Sequence, residues 1–468
     1  MKSPLGSCVY PSTNYGVWVG FNDLDPFQPN SSVVLCTGSK YWFRPPRLGE
    51  IVDVVAFDTL SQSGHVVGHT AAVNYPIGAR PQSVIRCGSN LFLINNIKDF
   101  IPCIDIYDEN FRLIRSVPGF HHWCTTRTSS RSYCSNFRAS HQLGGYGYIF
   151  TQTPKNHKVY EYPTAISYYD HNTHRHDEII SLNQAASAVS RYLKINIKHI
   201  LPYSYFTHLL LAPNEEHLAF LFRFWLRDGG ICTALLSIDL QTLELTIQLV
   251  GQLSHFTWLS NDELLIYANQ VFNATSLRVR LNNLSSLFPL SKCAKVFVKN
   301  LNSVKHCLKP NRSQHKQSPL DESIFQVPTA PPCFLEVKKS RYSVPSMRLP
   351  LSDGHPSLDR DHFSILLSDT YPDSSHRRLL FAINTQYSFP LCKSIISEFR
   401  PETIPIYSWV NRGMKIPRFA KFPLDHLSFS RSGLHCDLHP FFNEDFTQFA
   451  YHTSEDGFRT LRCHKLLN

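Results

Sequence analysis

Residues 352–373 read SDGHPSLDRDHFSILLSDTYPD. A histidine, His355, is followed by a polar turn at Asp359-Arg360-Asp361 and then by an apolar run, Phe363 to Leu367. Three other stretches are written in the same way. They are YFTHLLLAPNEEHLAFLFRF around His208, LSHFTWLSNDELLIYA around His255, and CDLHPFFNEDFTQFAYHTSEDG around His439. Asn214, Asn261, Asp361 and Asp445 each stand six positions past their histidine. The turns use residues that reverse a chain between strands. The runs after them suit buried strands. One supersecondary unit is thus written four times, and repetition of short-strand units is the signature of a propeller or solenoid. The expectation is an all-β fold, a β-propeller with histidines at equivalent places in successive blades.

Length agrees with that reading. A blade takes roughly 40–50 residues, so 468 residues hold seven blades and insertions in a single domain spanning 1–468. Thirty-two Phe and 21 Tyr against 3 Met suit sheet packing better than a helical bundle. The formal charge of +10 favours acidic partners. Among these, nucleic acid is disfavoured, because no block of five Lys or Arg occurs. Thirteen cysteines, an odd number, with no C-x-x-C pair fit neither a disulfide framework nor a zinc ribbon. A reducing, cytoplasmic setting is the simpler expectation. The N-terminus lacks an apolar signal segment. No apolar run of about 18 residues marks a membrane span.

Along the chain, Val33–Cys36 and Glu50–Asp58 read as early strands, and the segment 16–36 is expected to complete the last blade. Residues 120–148, FHHWCTTRTSSRSYCSNFRASHQLGGYGY, alternate poorly and read as partly irregular. One short helix is expected over Ser181–Ile195, with Ser181 as its N-cap and Ala185, Ala186, Ala188 and Leu193 as helix formers. Residues 282–350 lose periodicity and are rich in Lys, Ser, Pro and Asn. They read as a long irregular insertion on one rim.

In a propeller, equivalent inner positions of the blades converge on one axis. His208, His255, His355 and His439 are placed there. Neutral imidazoles around an axis suit a divalent transition metal, Mn or Zn. Asp353 and Asp437 precede their histidines by two positions, so strand alternation aims each to the same side, where it can orient the ring. The other reading of the ring is structural, four imidazoles held by hydrogen bonds. Cys436, turned opposite to Asp437, reads as a buried structural cysteine.

THLLLAP, SHFTW, DGHPS with SDTYPD, and DLHPFFNEDF with TSEDG resemble motifs of the oligogalacturonate-lyase-like propeller proteins. VGFNDLDPF, TAAVNYPIGARPQ, NFRASHQLGGYGY and ISLNQAA are similar to that wider group too. The resemblance covers most of 16–282 and 352–466. It implies a seven-bladed propeller with a central metal held by histidines and a further side chain. It also implies His208, His255, His355 and His439 as ligands. Val73-Asn74-Tyr75 departs from the more aromatic run usual in the group. A lyase of this type performs β-elimination at a uronate of an acidic polysaccharide or oligosaccharide. A base removes the proton α to the carboxylate, a cation neutralises that carboxylate so that the enolate-like charge is tolerated, and the glycosidic oxygen at the β carbon leaves. Arg138 is then the carboxylate clamp and Tyr146 or His122 the base. The residues alone allow blander roles: an ion pair for Arg138, a packed aromatic for Tyr146. The rival class is a non-catalytic binding or scaffold propeller with a structural histidine ring.

Overall fold

The computed structural model describes residues 15–21, 24, 26–28, 31–40, 50–61, 63–74, 77–86, 89–99, 101–135, 137, 148, 165–226, 230–272, 325–326, 330–359, 361–371, 377–387, 389–397, 437–443, 446–454 and 459–465. Its strands form antiparallel sheets taken up one after another along the chain. The first sheet holds Gly16–Trp18, Val33–Ser39, Val52–Asp58 and Ser63–Thr70. The second holds Gln82–Arg86, Ser89–Lys98, Ile101–Tyr107 and Leu113–Pro118. The third holds His121–Thr125, Arg131–Ser135, Ala165–Asp170 and His176–Ser181. The fourth runs through Ser204–Leu211, His217–Trp225, Ile231–Asp239, Leu245–Trp258, Glu263–Val271, Cys333–Lys338 and Arg341–Ser343. The fifth holds Ser357–Leu358, Ile365–Asp369, Arg377–Asn384 and Phe389–Ser397. The sixth holds Phe441–Phe442, Gln448–Thr453 and Thr460–Lys465. A two-stranded pair, Phe325–Gln326 with Leu349–Pro350, stands beside them.

The seven-stranded sheet is two blades sharing one strand. Residues 245–251 pair back onto Ile231–Asp239, and residues 251–258 pair forward onto Glu263–Val271. The changeover is at Gly251, where a Cβ would lie 2.1 Å from the Gln270 carbonyl oxygen. Only a residue without a side chain fits that approach.

Apolar clusters join each sheet to the next. Val54, Ala56, Phe92 and Tyr107 pack the first sheet on the second. Val84, Leu93, Ile104, Cys134 and Tyr169 pack the second on the third. Leu265, Phe334, Leu366 and Phe381 pack the fourth on the fifth, and Leu380, Ile396, Phe442 and Phe449 pack the fifth on the sixth. Val17, Val34, Phe57, Phe441, Ala450 and Leu461 then pack the sixth sheet on the first. Sheets flanked on both faces need strands that are apolar throughout, and His217–Trp225 is buried from its second residue to its last. The circuit is closed, and the fold is a β-propeller.

Closure differs from the sequence expectation. Gly16–Trp18 and Val33–Ser39 pair with each other in the first sheet and do not extend the sixth. The two ends meet through side chains and through hydrogen bonds, among them two from the backbone of the N-terminal segment. Val17 N–H donates to the Arg459 carbonyl at 3.0 Å, and Val19 N–H to His452 Nε2 at 2.8 Å. The stretch expected to be irregular, 282–350, contains the strands Cys333–Lys338 and Arg341–Ser343 of the fourth sheet. The short apolar run of CFLEVK stands among Lys, Ser and Pro, which dominate the composition of the stretch.

Among the described residues the one α-helix is Leu182–Leu193, two residues shorter at its C-terminal end than expected. Ser181 caps it in a capping box with Gln184. Leu182, Ala185, Ala186, Val189 and Leu193 bury one face between the third sheet and the fourth. No helix among the described residues is long and apolar enough to cross a membrane.

Candidate functional site

The four repeat histidines come from chain positions up to 231 residues apart, and the structure brings them into one arc. Ring centroids are 5.6 Å apart for His208 and His255. They are 4.2 Å apart for His255 and His355, and 4.2 Å apart for His355 and His439. Phe21 closes the circle, 4.9 Å from His208 and 5.1 Å from His439. Each of these residues lies in, or just beside, the strand that opens its blade, so the circle surrounds the propeller axis.

Local backbone geometry aims the rings. The register of Ser204–Leu211 on its neighbour shifts between Thr207 and Leu210. The register of Leu245–Trp258 shifts between Leu253 and Phe256. Bulges of this kind re-aim side chains next to functional sites. His208 and His439 also have φ of 54° and 41°, a left-handed conformation that costs a non-glycine residue energy and recurs at functional sites. A hydroxyl precedes two of the rings. Thr207 Oγ1 lies 2.8 Å from His208 Nδ1, and Ser254 Oγ lies 2.8 Å from His255 Nδ1.

The tightest grouping is His355, Asp437 and His439. One potential ligand atom from each lies within 4.8 Å of the others, and all three residues are buried. His355 donates Nδ1–H to Asp369 Oδ1 at 2.8 Å, which leaves its Nε2 as a lone-pair donor. His439 Nε2 is buried without a hydrogen-bond partner, 3.8 Å from Asp437 Oδ2. Asp437 Oδ1 accepts an ion pair from Arg378 Nη1 at 2.8 Å. A buried carboxylate is stable only when so paired. Burial pushes the imidazoles of His208, His355 and His439 well below their ordinary value, so they are neutral. Neutral imidazole is the form that ligates a metal. Burial raises the Asp369 carboxyl to about 6, while Arg378 acts in the opposite sense. Two imidazole nitrogens and a carboxylate suit Mn, Zn or Fe(II). The residues present therefore fit a divalent metal.

The remaining sequence-selected residues are distributed as follows. His255 and His208 continue the arc beyond the three-residue grouping. Asp353 was expected to serve His355, yet its Oδ1 lies 3.2 Å from His255 Nδ1. Residues 353–356 are outside any strand, so strand alternation does not govern where Asp353 points. Asp437 likewise precedes its strand and stands beside His355 and His439 themselves. His122 is fully buried in the third sheet. Its pKa is held well below the ordinary value by burial, with Arg80 adding to the effect. Arg138, Tyr146 and Cys436 lie outside the described residues. Sequence reasoning passed over Asp369, Arg378, Phe21 and Tyr371, whose ring is 5.6 Å from that of His355. Asp369 and Tyr371 both sit in the SDTYPD run that follows the His355 turn, and that was the available signal.

No family model matches the chain, and no curated protein does. Solved structures similar to it include an oligogalacturonate lyase in complex with manganese, at 10% identity and TM-score 0.34, covering 99% of this chain and 97% of that one. The oligogalacturonate lyase of Vibrio parahaemolyticus is similar at 9% identity and TM-score 0.34, with the same coverage. The β-propeller domain of the Trilobed protease from Pyrococcus furiosus is similar at 7% identity and TM-score 0.38, covering 81% and 80%.

Proposed function

We propose that the chain is a seven-bladed, metal-centred propeller, counting the shared sheet as two blades, that acts on an acidic oligosaccharide by β-elimination at a uronate. The observation that carries this reading is the buried meeting of His355, Asp437 and His439 within 4.8 Å. These three would hold the metal, and His255 and His208 continue the arc of imidazoles beside them. A bound Mn or Zn ion would supply positive charge to a uronate carboxylate. The chain's own residues do the rest. Asp437, held by its ion pair with Arg378, would balance part of the metal's charge. Arg138 clamps the substrate carboxylate. His122, enclosed on all sides, suits a structural role better than proton transfer, which makes Tyr146 the base. The net positive charge favours an anionic sugar. A reducing compartment such as the cytoplasm fits the seven cysteines whose side chains are described, all of them free and buried.

A second reading has its own support. His355 and His439 are only 1% and 2% exposed, as a structural ring in a non-catalytic binding propeller would be. One assay separates the two. The metal-loaded protein is incubated with a panel of uronate polymers and oligomers, and the ultraviolet absorbance of unsaturated uronate products is followed. Activity on at least one polymer, lost on chelation and restored by Mn or Zn, is expected. A metal-loaded protein inert on every polymer but retaining an acidic oligosaccharide would establish the binding reading instead.

A further inference from the structure

We infer that Asp369 is the positioning residue of the histidine centre, one buried carboxylate that sets the place of His355, Asp437 and His439 together. The inference rests on the metal-centred reading above, but the geometry is independent of any ion. Asp369 closes the strand Ile365–Asp369 and is 1% exposed. Its Oδ1 accepts two bonds from His355, from the backbone N–H at 2.7 Å and from ring Nδ1 at 2.8 Å. Its Oδ2 accepts the backbone N–H of Leu438 at 3.2 Å. Leu438 is the residue between Asp437 and His439. One carboxylate thus ties the segment 353–356 to the segment 437–440, which the sequence separates by about 80 residues and which no strand pairing joins among the described residues.

The chemistry follows from the acceptor. A carboxylate has no proton to give in its ionised form, so it selects the His355 tautomer with hydrogen on Nδ1. That leaves the Nε2 lone pair directed away from Asp369. A carboxylate behind a ligating imidazole fixes ring orientation and raises its basicity. Asp353 stands in a similar relation to His255, at 3.2 Å, but it is more exposed and makes no bond to the His439 segment among those described. Asp369 is the residue on which two blades depend at once.

The test compares wild type with Asp369→Asn. Asparagine keeps an oxygen for a backbone N–H but loses the charge. Nitrogen-15 spectra of histidine-labelled protein, stripped of metal, report which ring nitrogen of His355 is protonated, with His355→Gln to assign the signal. Mn and Zn affinities are measured by competition with a chromophoric chelator. The wild type is expected to carry its His355 proton on Nδ1. Asp369→Asn is expected to show a tautomer mixture and a metal affinity lower by about 10–100-fold, the range for partners behind metal ligands. A wild-type His355 protonated on Nε2 would overturn the inference, as would an Asp369→Asn protein that loses melting temperature but keeps its tautomer and affinity. If the wild type binds neither metal, the metal centre falls, and the ring spectra still decide Asp369. Should Asp369→Asn not fold, the wild-type spectrum alone carries the decision.

Discussion

Gly354→Ala is expected to lower stability by about 3 kcal/mol or more, the upper part of the range for overpacking, and to weaken metal binding in the protein that still folds. The cause is a backbone contact. A Cβ at position 354 would lie 1.8 Å from the Asp369 carbonyl oxygen and 2.8 Å from its carbonyl carbon. It would also lie 3.3 Å from Asp369 Oδ1, the oxygen that holds His355. No rotamer change relieves a clash with backbone, so the segment 353–356 must move off the strand Ile365–Asp369. His355 moves with it. Urea denaturation at neutral pH gives the stability loss, and chelator competition gives the affinity. An alanine variant with wild-type values in both would mean that the 353–356 segment does not lie against Asp369.

Acid is expected to destabilise the propeller steeply, and His121 is one identified cause. Its ring is fully enclosed, with Nε2 donating to the Asn96 carbonyl at 2.8 Å. Burial lowers its pKa to about 3 from the ordinary 6.5. Between those values the unfolded chain binds a proton at this site and the folded chain does not. Stability therefore rises with pH, and is lost progressively as pH falls from 6.5 towards 3. The slope is about 1.4 kcal/mol per pH unit for each such histidine. His464, lowered to about 4 chiefly by burial, adds a second and narrower contribution. Urea midpoints from pH 7 down to pH 4 should show this slope in the wild type. His121→Asn should reduce it by about one proton, whatever its effect on stability at neutral pH. An unchanged slope in that variant would mean that His121 is protonated in the folded state.

The fold was legible because the chain repeats itself. The six-residue step from histidine to turn, read at His208, His255, His355 and His439, marks four blades that the structure brings round one axis. Strand patterns are local and survive in the text. What the text hid depends on contacts between distant segments. Alternation, a rule of strands, pairs Asp353 with His355, but the segment 353–356 is not a strand. Asp369 and Arg378 carry no mark of their role in their own stretch, because their significance comes from the segment 437–440, about 60 to 70 positions away. Phe21 lies in the VGFNDLDPF motif, but it is not a repeat histidine, so the six-residue step does not mark it as the residue that closes the ring. The strands Cys333–Lys338 and Arg341–Ser343 were lost among Lys, Ser and Pro, because a pattern of six residues and one of three are too short to outweigh the composition around them.

Anomalous diffraction from crystals grown with manganese, and separately with zinc, tests the metal centre most directly. The expected map has one strong peak on the propeller axis, about 2.0–2.3 Å from nitrogens of His355 and His439 and from an Asp437 oxygen. A map with no peak there at saturating metal, its imidazoles bonded only to protein groups, would contradict the metal centre and leave a propeller held together by buried histidines.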